Sequence, residues 1–169
     1  LQDGDQINGG AGNDTLVADL VSQSNAITPV LTNVETVVIR AQTVTNDNTN
    51  GNNLNGFRVF IDAQRSLAVD SLNTVTAATG VTRWESNNSR SDVIIEDVRI
   101  GNDQKTSDVT IAFVESDPGN VDFGVYFDQH SLRNTSSGTT GINILLMDPA
   151  AARVEATAAT PLLNHNFNT

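Results

Sequence analysis

Gly9-Gly10-Ala11-Gly12-Asn13-Asp14-Thr15-Leu16-Val17 is the stretch whose reading decides the fold. It fits the nonapeptide G-G-x-G-x-D-x-U-x at every specified position. Nine residues earlier lies a worn copy, in which Asp5 aligns with Asp14 and Ile7 with Leu16, while Asp3 replaces Gly12. The glycines let a tight turn take positive φ and direct its carbonyls inward, and Asp14 adds a carboxylate. Leu16 then points into a narrow core between two parallel strands. The worn copy starts before Leu1, so the repeat is expected to continue upstream.

Beyond Leu20 the repeat stops and a larger β-rich body is expected. Thr36-Val37-Val38-Ile39-Arg40, Phe57-Arg58-Val59-Phe60-Ile61, Val81-Thr82-Arg83-Trp84 and residues 92–100 are rich in β-branched and aromatic residues, and Asn, Asp, Ser and Gly clusters bound them. Val109, Ile111 and Phe113 alternate along one segment, and Val121, Phe123, Val125 and Phe127 along the next. Ser116-Asp117-Pro118-Gly119-Asn120 between them has turn chemistry, which predicts an antiparallel hairpin over residues 108–128. Asp148 as cap, Pro149 at the first position and an alanine-rich run closed by Pro161 predict one short C-terminal helix. The expected fold is all-β. Residues 1–20 form a short parallel roll, and residues 21–169 form a mainly antiparallel β-sandwich. The alternative is a β-solenoid continuing from the roll.

Composition narrows the functions open to such a chain. Its 169 residues carry 20 Asp and Glu against 9 Lys and Arg, a net charge of −11, with Lys105 the single lysine. So acidic a surface lacks the basic footprint that neutralises phosphates or sits on anionic lipid, which argues against nucleic acid and membrane surfaces as partners. Apolar runs such as Ile144-Leu145-Leu146-Met147 fall far short of the roughly 20 residues that cross a bilayer, so no membrane insertion is expected. Cysteine is absent, which excludes a disulfide scaffold. Abundant Asp and Asn suit a hard cation such as calcium, which takes oxygen ligands.

On residues 9–17, with residues 3–8 as the degenerate preceding turn, the sequence resembles the repeats-in-toxin (RTX) family of calcium-binding proteins. The resemblance implies a bound Ca²⁺ and a ligand set drawn from Asp3, Asp5, Asn8, Gly10, Gly12, Asp14 and Asp19. In that family each ion lies between loops two repeats apart on the same side of the roll. Two consecutive turns therefore supply half-sites, to be completed by an upstream repeat, by Asp19 or by a loop of the following body. A second resemblance rests on Leu31-Thr32-Asn33-Val34-Glu35-Thr36-Val37-Val38-Ile39, on Ala78-Thr79-Gly80-Val81-Thr82 and on Ser91-Asp92-Val93-Ile94-Ile95. These look like strands of large RTX-containing surface-layer and adhesin proteins of bacteria. The implied protein is extracellular, exported by a type I machine that reads an uncleaved carboxyl-terminal signal, and placed at the cell surface.

Other constellations in the chain fit a site less completely. Asn46, Asn48, Asn50 and Gly51 fit the first positions of an EF-hand loop, but Phe57 stands where a bidentate Glu is needed. The Asn-rich loop, through Asn50, Asn52 and Asn53, together with Trp84 as an aromatic platform, gives a candidate site for surface glycans, although a lone strand tryptophan is more often a core residue. His130 near Asp128 and Ser131 lacks a G-x-S-x-G elbow, and His165 has no grouped metal partners. No catalytic residue is assigned. The expected function is that of a non-enzymatic, calcium-stabilised structural module of a surface layer, adhesin or biofilm matrix, whose partners are neighbouring modules of the chain or further copies. The alternatives are a carbohydrate-binding adhesin domain and an accessory domain of a secreted RTX hydrolase.

Overall fold

The computed structural model describes residues 1–21, 25–42, 58–72, 74–115, 121–128, 131 and 143–147. Eleven strands occupy nearly half of them: β1 (Gln6–Asn8), β2 (Thr15–Leu20), β3 (Asn25–Ile27), β4 (Val30–Thr32), β5 (Thr36–Ala41), β6 (Arg58–Asp62), β7 (Arg83–Asn87), β8 (Asp92–Val98), β9 (Thr110–Val114), β10 (Phe123–Phe127) and β11 (Asn143–Met147). Two single 3₁₀ turns, η1 (Ala63–Arg65) and η2 (Thr106–Asp108), punctuate the connections. Among the described residues no helix is long and apolar enough to cross a membrane. The all-β expectation holds.

Every pairing between these strands is parallel. One sheet runs in the order β11-β9-β7-β5-β2, a second in the order β10-β8-β6-β3, and β1 pairs with β4 in a short third ladder. From β5 onward, consecutive strands enter the two larger sheets by turns, so each circuit of the chain adds one strand to each sheet. That is the winding of a parallel solenoid. The first twenty residues belong to the same winding, because β1 pairs with β4 and β2 with β5.

The expected antiparallel sandwich is corrected by this pairing. β9 takes β7 and β11 as neighbours while β10 takes β8, so the two strands of the expected hairpin lie in different sheets. The physical reason is that alternation of period two reports a strand with one buried face and says nothing about its hydrogen-bonded neighbour. The turn at residues 116–120 and the helix expected after Asp148 lie outside the described residues.

Register puts like side chains over one another. Leu16, Val37, Trp84 and Ile111 form one inward ladder of the five-stranded sheet, and Ala18, Ile39, Ser86 and Phe113 form the next. Facing them, Ile27, Ile61, Ile95 and Val125 stack in the four-stranded sheet, beside Val59, Val93 and Phe123. Both sets meet in a single core in which Val37, Ile39, Trp84, Val93 and Ile95 are almost wholly buried. Each such aliphatic side chain stabilises the fold by about 1.5–3 kcal/mol relative to exposure.

Polar groups close the corners between sheets. Ser86 donates to Ser89 Oγ (2.9 Å), which accepts the Ala41 N–H, so a serine pair substitutes for an apolar layer. Gln104 Oε1 accepts both Gly80 N–H and Gly101 N–H at 2.7 Å, while its Nε2 donates to the Gly80 carbonyl. A Cβ at Gly101 would overlap the Ala78 carbonyl oxygen, so this clamp requires glycine there.

Replacing Ile39 by Ala should lower unfolding free energy by about 2–5 kcal/mol in urea denaturation, because a wholly buried ladder position is emptied. Val17→Ala, on the exposed outer face of β2, should change it by no more than about 0.5 kcal/mol. Equal losses at the two positions would contradict the inward register of β2 and β5.

Candidate metal centre

The glycine turn joins β1 to β2. One coil later, residues 33–35 join β4 to β5, and register sets Asn8 beside Thr32 and Thr15 beside Thr36. The two turns are therefore stacked. Gly9 N–H donates to the Thr32 carbonyl at 2.9 Å, and Glu35 and Thr36 N–H both donate to the Asp14 carbonyl, at 3.2 and 3.0 Å. Asp14 N–H in return donates to Glu35 Oε2 at 2.7 Å. The pattern repeats one coil further on, where Thr82 and Arg83 N–H donate to the Glu35 carbonyl.

Local sequence explains why the turn can do this. Gly10 and Gly12 sit at φ of 93° and 129°, where an L side chain is strained. At Gly9 a Cβ would overlap the Asn33 carbonyl oxygen and lie 2.6 Å from Asp14 Cβ, so the missing side chain is what admits Asp14 against the neighbouring turn. Asn33 answers with a positive φ of 51°, and its amide donates to Asn8 Oδ1, which also accepts Gly10 N–H.

Asp14 is half-buried, and its Oδ2 is a buried oxygen with no hydrogen-bond partner. A carboxylate oxygen withdrawn from water without a donor is costly, and the positions beside it are oxygen-rich. Glu35 is the nearest acid in the stack. Among the described residues no group of three or more His, Cys, Asp or Glu side chains converges. An ion here would draw on Asp14, Glu35 and neutral oxygens of the turn, a donor mixture that calcium accepts.

The seven residues singled out as metal ligands fall in three places. Asn8, Gly10, Gly12 and Asp14 belong to the glycine turn. Asp3 and Asp5 lie at the other end of β1, where Asp3 Oδ1 accepts Thr28 N–H (3.0 Å) and Asp5 Oδ2 accepts Gln2 N–H (2.8 Å). Thr28 there also donates to Asp62 Oδ2 at 3.4 Å. Asp19 stands on the outer sheet face, paired with Arg40, its register partner, at 3.3 Å. Glu35 joins this site although its local sequence reads only as part of a strand. An echo could have exposed it, since Asp14-Thr15-Leu16-Val17 and Glu35-Thr36-Val37-Val38 share the order acid, threonine, aliphatic, valine.

The glycan platform needs correction at Trp84. Its ring is 0% exposed, stacked between Val37 and Ile111 in the core, so it offers no surface to a sugar. Asn50, Asn52, Asn53, His130 and His165 lie outside the described residues.

Tryptophan emission of the native protein should accordingly be blue-shifted and resist quenching by iodide, and unfolding should restore both to the values of a solvated indole. Efficient quenching in the native state would overturn the inward placement of Trp84. In comparisons with known proteins, no family model, curated protein or solved structure matches the chain.

Proposed function

We propose that the chain is a calcium-stabilised structural module of a secreted bacterial surface protein, serving a surface layer, an adhesin or a biofilm matrix. The observation that carries this reading is the Asp14 turn, with its buried, unpartnered Oδ2 stacked against Glu35. A calcium ion would be held by Asp14 and Glu35 with carbonyl oxygens of the turn, and it would supply positive charge to a chain of net charge −11. Asp3 and Asp5 lie at the other end of β1, and Asp62, on a later coil, is linked to Asp3 through Thr28, which donates its N–H to Asp3 and its hydroxyl to Asp62.

Mechanistically, the ion binds folded turns and not the unfolded chain, so its binding free energy adds to folding free energy. At low calcium, inside the producing cell, the acids of the roll repel one another and the turns are weakly held. Outside, calcium closes the corner, fixes the register of β1 and β2 on β4 and β5, and couples this module to its neighbours. Secretion through a type I exporter follows from the same logic, since a chain that folds only after export passes unfolded.

The test is thermal unfolding during a calcium titration of the intact chain and of Asp14→Ala. At a hundredfold excess over Kd, calcium should stabilise the native chain by about 2.7 kcal/mol, a rise in Tm of several degrees, and the substitution should remove most of that gain. A Tm identical in calcium and in excess chelator would defeat the proposal.

A further inference from the structure

Strand β1 is bracketed by two dipeptides of one reactive kind, Asp3-Gly4 before it and Asn8-Gly9 at its end. In each, a carboxyl or amide side chain precedes a glycine, whose nitrogen is not shielded by a neighbouring Cβ and can reach the side-chain carbonyl carbon to close a five-membered imide. Asp3 and Asn8 are exposed, so water and hydroxide have access to both. What keeps the reacting atoms apart is hydrogen bonding to the next coil. Gly9 N–H is spent on the Thr32 carbonyl at 2.9 Å, and Gly4 N–H on the Thr28 carbonyl at 3.3 Å. The side chains are pinned too: Asn8 Oδ1 accepts Gly10 N–H at 3.0 Å and the Asn33 amide at 3.1 Å, and Asp3 Oδ1 accepts Thr28 N–H at 3.0 Å.

The fold cannot shed the more reactive of these pairs. A Cβ at position 9 would overlap the Asn33 carbonyl oxygen, so close stacking of the turns demands Gly9. Asn8 in turn ties Gly10 to Asn33 across the coils. The residues that let the turns stack are therefore the ones that make the chain labile once the stacking is lost.

We infer that Asn8 is a site of self-modification by water, a deamidation gated by the pairing of β1 with β4. When that pairing opens, hydroxide takes the Gly9 amide proton and the nitrogen attacks Asn8 Cγ. The N–Cγ bond forms, the Cγ–Nδ2 bond breaks, and ammonia leaves with a proton from water. A second step adds water to the imide: cleavage of the new N–Cγ bond gives aspartate, and cleavage of the original peptide bond gives isoaspartate. The net reaction turns one amide and one water into one carboxyl group and ammonia, with no redox change. Asp3-Gly4 follows the same route with water as the leaving group. Isoaspartate at position 8 carries the backbone through one extra carbon, so the Asn8 to Thr32 register and the Gly9 bond to Thr32 are not both recovered on closing. A molecule whose first coil stays open is thus marked irreversibly. The inference goes beyond the calcium reading and does not depend on it.

The experiment ages the intact chain in mildly alkaline buffer with calcium chloride, natively and in guanidinium chloride, and follows each site by peptide mass spectrometry. In guanidinium, Asn8 should deamidate alongside Asn50 and Asn55, which also precede glycine. In the native chain the Asn8 rate should fall by at least about tenfold, because reaction waits for local opening. Leu31→Ala, which empties a buried position of β4 paired with Ile7, should raise the native Asn8 rate and leave the guanidinium rate unchanged. An Asn8 that reacts equally fast in both conditions, or that survives guanidinium while Asn50 and Asn55 react, would overturn the gate. Repeating the native arm in chelator judges the calcium reading separately, since an ion that closes the turn slows Asn8 further and an absent ion leaves its rate the same.

Discussion

Parallel, in-register hydrogen bonding between successive coils is the constraint on which the rest of the molecule depends. Once Thr15 lies beside Thr36, and Thr36 beside Arg83, every other neighbour along those strands is decided. Inward positions must form ladders of compatible size, and corner residues must meet corner residues. The stacking of Asp14 on Glu35 is a product of that register. So is the burial of Trp84 between Val37 and Ile111, where a large ring fills the layer that smaller aliphatics would leave open.

Some of this was legible in the sequence, for reasons that can be traced to particular residues. The glycine turn was readable because Gly9, Gly10 and Gly12 are demanded by close approach and by positive φ, a local requirement. Strand segments such as Thr36-Val37-Val38-Ile39-Arg40 were readable because alternation is local too. Strand partners were not. Thr15, Thr36, Arg83, Thr110 and Asn143 occupy one rung position at unequal intervals, since the corners absorb connections of any length, so no period announces the stack. Glu35 was missed as a site residue for the same reason: its relation to Asp14 exists only across coils. Trp84 was open to two readings, core packing and a glycan platform, because one aromatic in a strand carries no sign of the face it takes, and its burial selects the first.

Polar residues buried at the corners give the fold its exactness of placement. Asp92, 1% exposed, accepts the Asp122 N–H, and Arg99 pairs with Asp128 at 3.2 Å with both side chains about 10% exposed. A buried ion pair adds little net stability, because desolvation offsets most of the attraction, but removing one partner strands the other. Gln104 acts similarly by satisfying three backbone groups of Gly80 and Gly101 at once. These contacts join elements far apart in sequence, and each one penalises a slipped register more than it rewards the correct one.

The edge strands β2 and β11 bear on how the molecule carries tension. Each coil touches chiefly the coil before and after it, so stability is a sum of neighbour terms and no single central contact holds the whole. Pulled from its two ends, such a molecule peels from a terminus and releases chain one circuit at a time, each release dissipating work while the remaining stack stays folded. A module built this way yields by lengthening before it parts, and it rewinds onto its own surviving rungs when the load is removed.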